Sequence, residues 1–324
     1  VVLGGSLLLL TSRLTRGEPA HAKNLHGGLA SKIPTGFALG VNLGVAPLLF
    51  LQVIYGHLFY SSSVLMAVYW ILIIPLLIIA YYGAYIHIRK YQKAELLSKT
   101  ALFITAVILL YISFMFVNNM TLMTQPEKWN AYFENRSGTI LNWGDPTLIP
   151  RYLHFLVASI AIAGLFSSII WWFRKRKNVP EADQKIKNGL KVFGIATAVQ
   201  IVIGFWFLLA IPSEFILQFM GQNLFYTIVL FLGILLAIGA IISAFLGKLL
   251  PTFIHLIALI IAMVITRTNL RSLYLQDVFT LDKLVLTPQY GVMALFFVVF
   301  VVGLVIVGYM LKLTFNAEER GTTS

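Results

Sequence analysis

Eight stretches of this chain, at about 36–59, 64–88, 100–119, 151–173, 192–211, 223–246, 251–274 and 289–313, stay apolar for long enough to cross a bilayer. About 30 Å of hydrocarbon at roughly 1.5 Å of rise per residue needs about 20 apolar residues in a helix. Lipid offers no partner for backbone N–H and C=O groups, so each such stretch must bond its own backbone, and an α-helix does so within one segment. Composition removes the soluble alternative. With 59% hydrophobic and 11% charged residues over 324 positions, too little polar surface exists to cover a globule of this size. Val1 to Thr11 is apolar but too short to cross, and no cleavage site of small residues follows Leu10. It reads as the exit end of a truncated helix rather than a signal peptide. The expectation is an all-α polytopic membrane bundle of eight full transmembrane helices plus a truncated N-terminal helix. It forms a single membrane domain over 1–324, with 1–11 as the truncated helix and helical halves at 36–173 and 192–313. Their seam is the polar run Arg174 to Lys191, which contains Val179-Pro180-Glu181.

The formal charge of +12 follows the loops. When alternate loops are assigned to one side, Lys128, Arg136, Arg151, Arg267, Arg271 and Lys283 are the only basic residues of the 24 that fall on the other. This is the imbalance of the positive-inside rule, so the basic face and the C-terminus are expected in the cytoplasm of a bacterial or archaeal inner membrane. It also accounts for the charge without nucleic acid. The absence of cysteine excludes disulfides, Cys-ligated iron–sulfur clusters and c-type haem attachment in this chain. No internal repeat or Gly-rich phosphate loop is present. The long connection from Met120 to Pro150 carries Trp129, Tyr132, Phe133, Trp143 and Tyr152 just past it, and suits the membrane interface, where aromatic belts gather.

All twelve acids fall in loops or at span ends, so a proton-coupled transporter lacks its usual mid-membrane carboxylate. Histidine remains. His57 ends the first span and His154 opens the fourth, both on the outer side; His87 and His255 lie towards the cytoplasm, and His21 and His26 precede the first span. An imidazole inside a bundle is a candidate haem ligand; otherwise it is an interfacial histidine bonded to backbone or water. Small residues at Ala158, Ala161 and Gly164 follow His154 along its helix, and either leave room for a macrocycle or permit close helix packing. Arg151, nearly one turn before His154, suits a haem propionate or a lipid headgroup. Arg267 and Arg271, one turn apart, favour an anionic partner: a propionate, a phosphate headgroup or an acidic loop.

Ile149-Pro150-Arg151-Tyr152-Leu153-His154, with Trp171-Trp172-Phe173-Arg174-Lys175-Arg176 and the amphipathic restart at Lys185–Lys191, resembles the fifth helix and basic loop of cytochrome bd oxidase subunit I. Phe37-Ala38-Leu39-Gly40-Val41 with Phe50-Leu51-Gln52 resembles that family's second helix. Leu110 to Trp129 resembles the end of its fourth, and the span after Leu286-Thr287-Pro288 sits where its ninth would. The likeness covers most of the chain at low identity. It implies nine helices in the intact protein and makes His154 the counterpart of the low-spin haem histidine. The departures are specific: Ala67 to Pro75 holds no glutamate for oxygen reduction, Pro212 to Asn223 is a short connection instead of a quinol loop, and Val229 to Gly233 holds no methionine ligand. Arg267-Thr268-Asn269-Leu270-Arg271 replaces a glycine-arginine-rich motif.

From residues and resemblance together, a haem b is expected on His154, with His57 or Met220 opposite and His255 as a further candidate. The subunit would exchange electrons between the quinone pool and a periplasmic c-type cytochrome or other respiratory subunit, without reducing oxygen itself. The alternatives are a haem-free membrane anchor of a respiratory complex and a small-solute transporter.

Overall fold

The computed structural model describes residues 1–15, 29–90, 93–176, 178–280, 284 and 287–321, so His21, His26, Lys177 and Lys283 lie outside the described residues. In chain order the helices are α1 (Val2–Thr15), α2 (Ile33–Ile54), α3 (Gly56–Leu65), α4 (Ala67–Lys90), α5 (Glu95–Met123), α6 (Ala131–Glu134), α7 (Leu148–Lys175), α8 (Ala182–Ala210), α9 (Ser213–Leu217), α10 (Leu224–Phe245), α11 (Leu249–Leu275) and α12 (Tyr290–Gly321). Among the described residues there are no strands. Eight helices are long and apolar enough to cross a membrane, at the positions the hydropathy pattern predicts. The protein is an all-α, multi-pass membrane bundle.

One boundary differs from expectation. The apolar run into 59 is two helices, because Tyr55 leaves the helical region (φ −117°, ψ 27°) and ends α2. His57 therefore belongs to the first turn of α3, not to the end of the first span. Hydropathy does not register the break, since the sequence stays apolar across it.

The chain divides into two compact units, Val1–Gln276 and Asp277–Ser324. In the first, α5 is the most enclosed helix, and its neighbours include α1, α3, α4 and α7. Thr105 on α5 satisfies its hydroxyl on the carbonyls of Ala101 (2.8 Å) and, across the interface, Ala80 (3.2 Å). The tightest pair is α7 with α8. Gly164 and Gly189 face each other so closely that a Cβ on Gly164 would lie 2.8 Å from the Gly189 carbonyl oxygen. Ser168 donates across the same seam to the Ile186 carbonyl (2.9 Å). Lipid supplies no hydrophobic drive between helices, so close backbone approach and interhelical hydrogen bonds hold such pairs. The expected seam is thus a tight turn: Asn178 and Glu181 adopt positive φ on either side of Pro180, and Lys175 bridges to Asp183 at 2.7 Å. The short α1 is fully integrated, for no Cβ on Gly4 could fit beside the Ser159 carbonyl of α7. By contrast α2 is buried only over its first turns, at Ile33, Pro34 and Phe37.

The connection between α5 and α7 is a folded layer. Trp129, Tyr132, Ile140 and Leu141 pack on Leu65, Met66 and Leu122. Asp145, 4% exposed, accepts from the backbone and hydroxyl of Thr147 (both 2.8 Å) and from the amides of Gln125 (3.1 Å) and Asn142 (3.4 Å). Phe133 and Trp143 remain exposed, as an interfacial aromatic should. In the second unit, α12 is a 32-residue helix whose apolar side chains are exposed throughout the span Tyr290–Leu313.

Candidate functional site

The end of the first unit that carries the 124–147 layer gathers three arginines from two helices. Arg151 sits in the first turn of α7, its backbone N–H on the Thr147 carbonyl (3.0 Å), and its guanidinium lies over the Phe207 ring of α8 at 5.1 Å from the centroid. Arg271, near the end of α11, lies over the ring of Tyr55 at the α2–α3 break, also at 5.1 Å. Arg267 is one turn further into α11, and its charge acts on both Arg271 and Arg151. Asp145 and Tyr274 complete the electrostatic surroundings of Arg151. Among the described residues no carboxylate comes within ion-pair distance of any of the three, and the Arg151 Nε–H is buried without a hydrogen-bond acceptor. Like charges in a low-dielectric corner repel, and the rings of Phe207 and Tyr55 offset only part of that cost.

His154 lies one turn further along α7. Its carbonyl accepts from Gln200 Nε2 (3.3 Å), while its own Nδ1 is buried with no partner. Opposite the ring is Gly204 of α8, where a Cβ would stand 3.9 Å from Nδ1. The His154 ring is not paired with a carboxylate among the described residues, while the backbone of Gln200 on α8 lies close enough to act on it.

The other predicted residues separate from it. His57 rides on α3, whose main neighbour is α5, and Met220 is 44% exposed on the irregular turn between α9 and α10. His255 is accounted for structurally: Nδ1 bonds the Pro251 carbonyl (2.8 Å) and the ring edge occupies the space that a side chain on Gly239 of α10 would fill. His87, 1% exposed, bonds Ser98 through its carbonyl (3.1 Å) and hydroxyl (3.0 Å). The small face after His154 is used for packing, with Ala161 inside the core shared by α7, α8 and α10 and Gly164 against Gly189.

Sequence reasoning found His154 and the arginines singly but missed Phe207, Tyr55, Gly204 and Tyr274. These come from distant elements and carry no local motif. The juxtaposition of Arg151 with the Arg267–Arg271 pair has no sequence signal either. No known family, curated protein or solved structure matches the chain.

Proposed function

We propose that the protein is a haem b-carrying membrane subunit that exchanges electrons between the quinone pool and a redox partner, such as a c-type cytochrome, at the arginine-rich end. The observation that carries this is His154: an imidazole inside the bundle with its Nδ1 buried and unpartnered. A ring nitrogen without a hydrogen-bond partner is available to an iron, so His154 would hold the group. When bound, haem iron supplies one-electron redox chemistry at the membrane's edge. The chain's own part is positional. Gln200 fixes the α7 backbone at His154, Gly204 leaves the ring its space, and tight α7–α8 packing holds both in register. The quinone assignment rests on the bd-like sequence pattern, and the cytochrome on the absence of cysteine, which leaves the remaining redox centres to a partner.

The test is an absorption spectrum of the purified protein in reduced and oxidised states. The wild type should show a b-type α-band, and His154→Ala should lose it while helicity by circular dichroism is unchanged. A wild type without that band sinks the haem assignment. A haem-free anchor of a respiratory complex is then the function, and it is favoured by one observation of its own: the small face expected to admit a macrocycle is occupied by close helix packing at Ala161 and Gly164.

A further inference from the structure

Three guanidiniums at one corner of a membrane protein, with the Asp145 carboxylate acting on Arg151 but none in ion-pair distance among the described residues, leave an excess of positive charge that needs an anion from elsewhere. Arg151 states the need most sharply, because its Nε–H is buried and has no acceptor. A charged group within a span is tolerated when it reaches the interface or meets a counter-charge. Arg267 lies eight residues before the end of α11 at Leu275, about 12 Å into the helix at roughly 1.5 Å per residue. The bonds it lacks within the protein must therefore be made near the headgroup region.

The face of α11 identifies what brings that charge. Residues three, four and seven before Arg267 share its side of the helix. They are Val264, Met263 and Ile260, exposed by 58%, 41% and 44%. One stripe of α11 thus runs from two arginines at its end onto bare apolar surface deeper in the membrane. α11 packs mainly on α10 and touches α7 only lightly, so little helix packing fills the corner between α11 and α7. Polar head above and apolar track below is the shape of an amphiphile. Guanidiniums match phosphate oxygens in fork geometry, and a zwitterionic headgroup would add a further cation to a site already too positive.

We propose that Arg151, Arg267 and Arg271 form a binding site for the phosphate-bearing headgroup of an anionic phospholipid, whose acyl chain lies along Val264, Met263 and Ile260 of α11. A headgroup with two phosphates neutralises more of the cluster than one with a single phosphate and binds more tightly. The site does not depend on iron at His154.

The experiment is native mass spectrometry of the intact chain released from vesicles of phosphatidylcholine alone, or of phosphatidylcholine doped with phosphatidylglycerol or with cardiolipin. The wild type should retain the anionic lipids, cardiolipin most, and no phosphatidylcholine. Arg267→Gln with Arg271→Gln should lower that retention at least tenfold, whereas Arg136→Gln, an exposed cation at the same end, should leave it unchanged. His154→Ala should also leave it unchanged, which separates this site from the haem assignment. Equal retention in wild type and the double variant overturns the proposal, as does equal retention of phosphatidylcholine. An arginine-dependent adduct with the mass of a tetrapyrrole instead of a phospholipid overturns it as well.

Discussion

Gly164 shows how much one hydrogen atom decides in this bundle. A Cβ there would meet the Gly189 carbonyl oxygen at 2.8 Å, Val192 Cγ1 at 2.9 Å and the Phe193 nitrogen at 3.1 Å. Two of these three atoms are backbone, so α8 itself must move, and overpacking of this kind costs about 1–3 kcal/mol. Gly164→Leu should lower stability by at least that much in detergent-unfolding titrations, whereas Gly40→Ala, with open space around it on α2, should change little. Equal effects would mean that α7 and α8 are not as close as described. His154 belongs to the same scale. Its Nδ1 is buried without a partner, as is Nε2 of His87, but His87 holds Ser98 through its other ring nitrogen and His255 holds the Pro251 carbonyl. Such an absence is invisible to sequence, which displays residue types but not their unmet valences.

Among the elements, the 124–147 layer departs furthest from what hydropathy predicts. Its aromatic content predicts an interfacial segment, and Phe133 and Trp143 behave that way. Its organising residue, however, is Asp145, on which four donors converge from Gln125, Asn142 and Thr147. The carboxylate also sits ahead of the α7 N-terminus, where negative charge is favoured by the helix dipole. Asp145→Ala would strand these donors at a cost of about 1–3 kcal/mol, because an unmet buried polar group bears its full desolvation penalty. Hydrogen exchange should then accelerate across 124–147 while α5 and α8 stay protected, and unchanged exchange in the layer would show that Asp145 does not organise it. Two further ties, Val68 N–H to the Gly138 carbonyl (3.1 Å) and Ile140 N–H to the Leu65 carbonyl (2.9 Å), anchor the layer to the α3–α4 corner.

For the whole molecule, the distribution of charge proposes an orientation. Lys175 and Arg176 at the end of α7 lie with the basic set, and Ser137 in the 124–147 layer lies with the poor one. A membrane-impermeant thiol reagent applied to intact cells should label Ser137→Cys and miss Lys175→Cys, both exposed positions. The reverse pattern would invert the bundle and place the arginine corner in the cytoplasm. It would also remove the periplasmic partner from the proposed electron path, since that partner must meet the corner from the same side.

Eight membrane helices and their order were determined by sequence alone, because the bilayer imposes a fixed length and forbids unpaired backbone, leaving hydropathy little freedom. Charge placement likewise follows from a local rule. The break at Tyr55 escaped because it occurs inside an apolar run, and the burial of Asp145 escaped because loop acids are normally solvated. Tertiary structure alone decided which small residues pack and which leave space: Ala161 and Gly164 are consumed by α8, while Gly204 stands clear beside His154. It alone brought Arg151 of α7 to Arg267 and Arg271 of α11, residues more than a hundred positions apart. In lipid every helix is apolar on nearly every face, so periodicity does not announce which faces meet; that choice rests on packing and on where buried donors find, or fail to find, their acceptors.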